Sequence, residues 1–124
     1  MEIIATNRAP GAIGPYSQAA ATSGLLFTSG QIPIDPKTGA VVEGGIVEQS
    51  TMVLENLTAV VEAGGSDMSH VLKTTCFLAD MGDFVAFNEV YARYFKVNPA
   101  RSCVAVKTLP KGVLVEVECI AERI

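Results

Sequence analysis

An uncharged but interrupted segment places the strongest limit on what this chain can fold into. Residues 9–34 form a run of 26 residues without an acidic, basic or histidine side chain. Three prolines and four glycines break the run, so it cannot form a transmembrane helix. Glu2 follows Met1 directly and no cationic head precedes the run, so we do not expect a signal peptide. We expect the segment to lie in a subunit interface or to line a cleft.

The composition also predicts a shared surface. Hydrophobic residues make up 49% of the 124 residues, and charged residues only 18%. A domain of this size buries only about two-thirds of the surface that its unfolded chain exposes. The sequence therefore predicts one domain, residues 1–124, that covers part of its apolar surface with other copies of the chain.

Charge, cysteine and histidine content exclude several function classes. The net charge is −4 and no run of basic residues occurs, which argues against a nucleic-acid partner. Cys76, Cys103 and Cys119 are odd in number and widely spaced, as in a cytoplasmic protein with reduced thiols. His70 is the one histidine, so no zinc cluster and no other metal site is expected.

The first half of the chain predicts a strand, a helix and a second strand. Residues 25–31 form a short β-type run that ends before Pro33. Residues 46–63 combine an apolar stripe at helical spacing with Glu every seventh residue, and Gly64 ends this helix. Residues 71–78 are rich in β-forming residues and predict a strand.

The second half predicts a helix followed by two strands. The helix is expected to begin at Asp80, with Asp83 in a carboxylate variant of a capping box, and to end before Pro99. Residues 102–108 predict a strand, residues 109–112 a turn, and residues 113–122 the clearest strand, with apolar odd positions and Glu on the other face. The class is α+β, a mixed sheet with two main helices on one face.

Five short motifs occur in order along nearly the whole chain. They are Gly14-Pro15-Tyr16-Ser17-Gln18, Thr28-Ser29-Gly30-Gln31-Ile32-Pro33, Asp83-Phe84 with Asn88 and Tyr91, Pro99-Ala100-Arg101-Ser102-Cys103, and Leu109-Pro110-Lys111 followed by Val115-Glu116-Val117-Glu118. In this set the chain resembles the Rid family, the reactive intermediate imine deaminases, also called the YjgF type.

The resemblance implies a fold, an assembly and a reaction. It implies a chorismate-mutase-like fold that forms a barrel-like homotrimer with active sites in clefts between subunits. It also implies hydrolysis of 2-imino acids, which derive from the enamines that PLP-dependent dehydratases release. The implied ligands are small 2-imino and 2-oxo carboxylates, and no cofactor is implied.

Arg101, Glu116 and Tyr16 are the candidate catalytic residues. The planar fork of Arg101 suits a substrate carboxylate, although most arginines are surface residues. Glu116 is a candidate for positioning water and moving protons. The sequence alone favours a solvated strand face for Glu116 and Glu118, and only the resemblance singles out Glu116.

The resemblance gives Tyr16 and four further residues a place at the site. Tyr16 would close over the ligand from a loop, although the composition of the segment fits a ring packed on the core equally well. Ser29 and Gly30 would form the pocket wall, with Ser29 offering a hydroxyl and Gly30 leaving room. Cys103 would contribute backbone groups, with its thiol pKa lowered by Arg101. Asn88 lies near the family cleft and is expected to be structural.

Two alternative functions stay open. Some family members are described as ribonucleases or translation inhibitors, although the acidic charge argues against RNA binding. A non-catalytic module that senses small carboxylates would use Arg101 equally well. The connection between Phe95 and Pro99 is shorter than in many relatives, which bears on the breadth of substrates.

Overall fold

The computed structural model describes residues 1–124, and they form one mixed sheet with two helices. The strands are β1 (Glu2–Ile4), β2 (Ala19–Ala21), β3 (Leu25–Thr28), β4 (Val71–Leu78), β5 (Ala100–Ala105) and β6 (Val115–Glu122). The helices are α1 (Ile46–Ala63) and α2 (Phe84–Tyr94), with short 3-10 turns at Met68–His70, Met81–Asp83 and Pro110–Gly112. The strand order is β1-β2-β3-β6-β4-β5, and only β4 and β5 run parallel. The predicted α+β class is confirmed.

Strand β6 lies between β3 and β4, and its side chains point alternately to the two faces of the sheet. Its odd-numbered side chains are buried against the helices, whereas Glu116 and Glu118 are half-buried on the opposite face. Burial of each aliphatic side chain contributes about 1.5–3 kcal/mol, which holds β6 in this register. The predicted alternation is therefore confirmed, although the strand begins at Val115 instead of residue 113.

Helix α1 has the bounds that the sequence predicts. Its apolar stripe is buried under the sheet, and the Glu48 carboxylate accepts a hydrogen bond from the backbone N–H of Gly45 at 2.8 Å. At the other end, Gly65 has a φ of 82°, a left-handed conformation that glycine adopts without strain. Strand β4 also has its predicted bounds.

The predicted start of the second helix is wrong. The Asp80 carboxylate accepts from the N–H of Gly82 at 2.7 Å and caps a 3-10 turn, so α2 begins only at Phe84. Asp83 makes no side-chain capping bond, so the predicted capping box does not form. Four aromatic residues of α2 pack in or against the core, namely Phe84, Phe87, Tyr91 and Tyr94. The helix ends at Tyr94, before Pro99 as predicted.

Two other strand predictions need correction, and two short strands were not predicted. The strand predicted at residues 102–108 is Ala100–Ala105, because its partner β4 supplies hydrogen bonds over that range. The strand predicted at residues 25–31 ends at Thr28, and Gln31 forms a separate bridge to Val117. The sequence did not predict β1 or β2, which are three residues each.

The helices cover one face of the sheet and leave the other open. Apolar side chains on the open face include Ile3, Phe27 and Val104, which are 54%, 45% and 46% exposed. Glu116 lies on this same face and in the same register row as Val104, with Phe77 of β4 between them. Such a partly apolar surface favours contact with another protein surface.

Neither α1 nor α2 is both long and apolar enough to cross a bilayer.

Asn56 on α1 gives a test of how the uncharged segment is held. Its buried amide donates to the carbonyl oxygens of Ile34 at 2.9 Å and Ile32 at 3.2 Å. Asn56→Ala removes both bonds, and we expect the free energy of unfolding to fall by about 2–3 kcal/mol in a urea titration. The control is Thr58→Val, since Thr58 bonds only to the carbonyl of Leu54 within its own helix. Equal losses in the two variants would contradict the prediction.

Candidate active site

The predicted site residues form two groups on opposite faces of the sheet. The Glu116 pocket consists of Ile13, Tyr16, Ser29, Gly30, Ile32, Pro110 and Glu116, and has a volume of about 330 Å³. The Arg101 cradle consists of Arg101 with Phe84, Asn88 and Tyr91 of α2. The structure thus brings four of the predicted residues together in the pocket, and Arg101 and Asn88 together in the cradle.

Backbone pairing beside β6 positions the Glu116 pocket. The N–H of Gln31 donates to the carbonyl of Val117 at 2.8 Å, and the N–H of Val117 donates back at 3.2 Å. This bridge holds Gly30 against Glu116. A Cβ atom added to Gly30 would lie 2.0 Å from Oε2 of Glu116, so only glycine lets the carboxylate take this place. The predicted role of Gly30, leaving room, fits this contact.

Ser29 connects the pocket wall to the loop that carries Tyr16. Its hydroxyl donates to the carbonyl of Ser17 at 2.6 Å, and its N–H donates to the carbonyl of Gln18 at 2.9 Å. The hydroxyl proton is thus committed to the loop and does not point freely into the pocket. Tyr16 is 48% exposed and its hydroxyl accepts from the N–H of Ile13 at 3.2 Å, so Tyr16 is not a core residue.

Gln18 is a residue of the first motif to which the sequence assigned no role. Its buried amide donates to the carbonyls of Thr6, Ala9 and Pro10, and its oxygen accepts from the N–H of Thr6. One side chain therefore fixes the start of the loop that leads to Tyr16. The sequence signal for this role was a glutamine in a segment without charges, because a buried side-chain amide needs hydrogen-bond partners.

Burial makes the Glu116 carboxyl a weaker acid than an exposed glutamate. Loss of hydration raises the pKa of the Glu116 carboxyl above its ordinary value, and the negative charge of Glu118 adds to the effect. No lysine or arginine forms a salt bridge with Glu116. The carboxyl therefore holds a proton more readily than an exposed glutamate does.

The Arg101 cradle is built on one stripe of α2. Nη1 of Arg101 donates to Oδ1 of Asn88 at 2.8 Å, so Asn88 directly contacts the proposed carboxylate-binding group. The guanidinium carbon lies 4.8 Å from the ring centre of Tyr91 and 5.5 Å from that of Phe84. The sequence includes both aromatic residues in the third motif but does not predict their contact with Arg101. Their spacing around Asn88, at i, i+4 and i+7, was the signal.

Cys103 lies beside Cys76, its register partner on β4. Burial raises the pKa of the Cys103 thiol, and Arg101 offsets this only in part. Arg101 thus lowers the pKa of Cys103 as expected, but desolvation of the thiolate outweighs the nearby charge and the net shift is upward. Cys76, Cys103 and Cys119 are all free thiols, as predicted.

Arg101 and Glu116 do not meet within one chain. Arg101 pairs with Thr74 and Thr74 with Cys119, so Arg101 is level with a residue three positions from Glu116 on β6. Strand β4 lies between them, and strand spacing places their Cα atoms about 14 Å apart. Arg101 also faces α2, whereas Glu116 faces the open side.

The remaining titratable groups do not add a second reactive centre. Nδ1 of His70 bonds to the Asp67 carboxylate at 2.7 Å, in the 3-10 turn before β4 and away from both groups. No cluster of three or more metal-binding side chains occurs. A wider groove of about 730 Å³ follows the N-terminal segment, but its lining contains no charged side chain.

Comparison with known proteins identifies the family. A family model described as "Endoribonuclease L-PSP" matches residues 6–123. A RutC family protein of Pyrococcus horikoshii is 54% identical over 98% of both chains. The human 2-iminobutanoate/2-iminopropanoate deaminase is 47% identical over 96% of this chain and 88% of its own. This chain belongs to the Endoribonuclease L-PSP family, also called Rid or YjgF.

A solved structure of the Rid family supports the fold. E. coli TdcF with bound serine superimposes with a TM-score of 0.96 at 44% identity, and the match covers 100% of each chain. The resemblance inferred from the five motifs is confirmed, and the α+β fold with it.

Gly30 gives a test of the pocket geometry. Gly30→Ala places a methyl group where the Glu116 carboxylate lies, and the obstacle is the end of a flexible side chain. We therefore expect the protein to stay folded, while the carboxylate moves toward solvent and its raised pKa falls toward the ordinary value. A ¹³C NMR titration of Glu116 measures this change.

The matched control is Gly24→Ala, because no atom lies within 4 Å of a Cβ added at Gly24. It should leave the Glu116 titration as in the wild type. An unchanged titration in Gly30→Ala would show that the carboxylate does not pack on Gly30.

Proposed function

We propose that this protein hydrolyses reactive 2-imino acids to 2-oxo acids and ammonia. In this proposal Arg101 binds the substrate carboxylate and Glu116 positions the attacking water. The single observation that carries the proposal is an arginine in a built cradle whose guanidinium has no carboxylate partner in its own chain. The proposed substrates are the short imines that PLP-dependent dehydratases release.

The Arg101 cradle suits a carboxylate because it leaves donors free. Only Nη1 donates to a protein group, and the other guanidinium N–H groups have no acceptor in the chain. A planar guanidinium binds a carboxylate through two parallel N–H···O bonds along one edge. Each hydrogen bond to a charged group contributes about 1.5–3 kcal/mol, so the pair suffices to hold a small acid.

Glu116 suits the proton transfers of imine hydrolysis. In the proposed reaction, water adds to the carbon of the protonated imine while Glu116 accepts a proton from the water, giving a neutral tetrahedral carbinolamine. Glu116 then gives this proton to the nitrogen. As the C–N bond breaks and ammonia leaves, Glu116 takes up the hydroxyl proton, the C=O bond forms, and the proton is finally released to solvent. Water is the only second reactant, so the proposal requires no cofactor. The raised pKa of Glu116 supports both the uptake and the return of the proton.

The site is proposed to form between copies of the chain. Arg101 and Glu116 are too far apart in one chain to hold the same small molecule, and the open sheet face exposes Phe27 and Val104. Arg101 lies on β5, the edge strand of the sheet, so packing of this edge against the open face of a neighbouring copy would bring the cradle of one chain near the pocket of another. By resemblance to the Rid family we propose a homotrimer, three chains of 13.0 kDa.

The names of the relatives agree with this proposal. The human relative is named for 2-iminobutanoate and 2-iminopropanoate, and TdcF was solved with bound serine. All three molecules carry a carboxylate on the carbon that bears nitrogen. Recognition of that carboxylate is the chemistry that we assign to Arg101.

The activity is tested by coupling the protein to a threonine dehydratase and following decay of the free imine. We expect decay faster than in buffer, and a loss of about 10²-fold or more in kcat/KM for Arg101→Ala, because two charge-assisted hydrogen bonds disappear. The control is Arg93→Ala, an exposed arginine on α2 outside the cradle. No acceleration by the wild type, or full activity of Arg101→Ala, would refute the proposal.

The shared site is tested by mixing two inactive variants. Arg101→Ala and Glu116→Gln chains are unfolded together and refolded at equal amounts. If each site takes Arg101 from one chain and Glu116 from its neighbour, about a quarter of the sites in random ring-shaped trimers regain both groups. The activity should return to about that fraction of the wild type.

Each variant refolded alone is the control, and sedimentation velocity measures the assembly. No recovery in a mixture that sediments as a trimer would place both groups of a site in one chain. A monomer at micromolar concentration would refute the shared site altogether.

Endoribonuclease activity is a second candidate because the matching family carries that description. The charge of −4 and the single histidine, held by Asp67, do not favour RNA cleavage. Cleavage of single-stranded RNA that is lost in Arg101→Ala would favour it. A carboxylate-binding module is separated from the enzyme by turnover alone, since both would bind pyruvate.

A further inference from the structure

The guanidinium of Arg101 contacts two kinds of group in the cradle, aromatic rings and one amide oxygen. Phe84 and Tyr91 present their rings to the guanidinium, at 5.5 Å and 4.8 Å from its carbon to the ring centres. Asn88 takes one donor of Nη1 at 2.8 Å. The face of an aromatic ring attracts a cation without supplying an oxygen acceptor for its N–H donors. The donors of Arg101 that Asn88 does not take, called here the open edge, therefore stay available to a ligand.

We propose that Phe84 and Tyr91 are positioning residues, which aim the open edge of Arg101 and set the affinity for a substrate carboxylate. This inference rests on the proposed function of Arg101 as the carboxylate-binding group. Phe84 and Tyr91 do not touch the substrate in this scheme and act only through Arg101. Their hydrophobic rings also remove water from the guanidinium, which strengthens its attraction for an incoming anion.

Tyr91 can serve this purpose because its ring is held on several sides. The hydroxyls of Tyr91 and Thr74 are hydrogen-bonded at 2.7 Å, and both residues are buried. The rings of Phe87 and Phe95 lie 5.6 Å and 4.4 Å from the Tyr91 ring, centre to centre. Thr74 is also the register partner of Arg101 on β4, so one residue anchors both the strand and the ring that position Arg101.

Phe84 supplies the other ring of the cradle and is less buried than Tyr91. It begins α2 and is only half-buried, in contrast to the deeply buried Phe87. A residue needed only for the core would gain little at such an edge. Phe84 is therefore the better position for a substitution that changes the cradle and leaves the fold intact.

The first measurement is binding of pyruvate to the full-length protein by calorimetry. Phe84→Leu keeps a side chain of similar bulk but removes the ring, and we expect the affinity to fall about 2- to 30-fold. Phe84→Tyr restores a ring and should restore the affinity. The control is Tyr94→Leu, which removes an aromatic ring from the same helix without contact to Arg101.

A double-mutant cycle separates positioning from a general structural effect. In an Arg101→Lys background, Phe84→Leu should cost much less affinity than in the wild type, since its partner is gone. An equal cost in both backgrounds would show that Phe84 acts on the fold and not through Arg101, and would overturn the proposal.

The second measurement needs no ligand. Ring currents from Phe84 and Tyr91 should shift the Nε–H proton of Arg101 upfield in the NMR spectrum of the free protein. Phe84→Leu should move this signal toward the position of exposed arginines, and Thr74→Val, which removes the hydroxyl partner of Tyr91, should move it partway. An Arg101 signal that is unchanged in Phe84→Leu overturns the proposal.

The two measurements also distinguish two kinds of failure. If the wild type binds no pyruvate, the role of Arg101 in the proposed function is wrong, while the NMR signal still reports whether the rings hold the guanidinium. If pyruvate binds and Phe84→Leu binds it equally well, the proposed function stands and the positioning role is wrong.

Discussion

The structure depends on the burial of one face of β6. Its alternating side chains pack under α1, and its edges pair with β3 and β4, so it joins both halves of the chain. A shift of one residue would send its valines into the open face and Glu116 into the core, at a cost that the domain could not sustain. The register that buries Val115 and Val117 is thus also the register that places Glu116 beside Gly30. Stability and the candidate chemistry share one cause.

The features that the sequence predicted well are those whose signal is local. The bounds of α1 follow from a long apolar stripe and from glycines at its end, and those of β4 from a run of β-forming residues. β1 and β2 escaped prediction because three residues, three alanines in β2, carry no periodic pattern and pair only through the rest of the sheet. The start of α2 was misplaced because Asp80 caps either an α-helix or a 3-10 turn equally well. Local chemistry does not separate these two outcomes.

The candidate site was predictable as a set of residues but not as a geometry. The motifs identified Arg101, Glu116, Tyr16, Ser29 and Gly30, and the structure shows which of them are neighbours. Tertiary pairing decides that Arg101 faces α2, because β5 runs parallel to β4 after a helical crossover. The contacts of Phe84 and Tyr91 with Arg101 likewise depend on tertiary structure. Aromatic residues at helical spacing usually predict a core, and only the fold reveals that two of them face a cation.

The separation of Arg101 and Glu116 has a physical advantage. An arginine and a glutamate that were free to approach each other in one chain would form an ion pair and satisfy each other's charge. Here the sheet keeps them on opposite faces, so a half-buried guanidinium edge and a half-buried carboxylate both lack a partner of opposite charge. Each group bears part of the cost of desolvation without compensation from its own chain. A small molecule that carries a carboxylate at one end and a reacting carbon at the other would satisfy the arginine and leave the glutamate free to move protons.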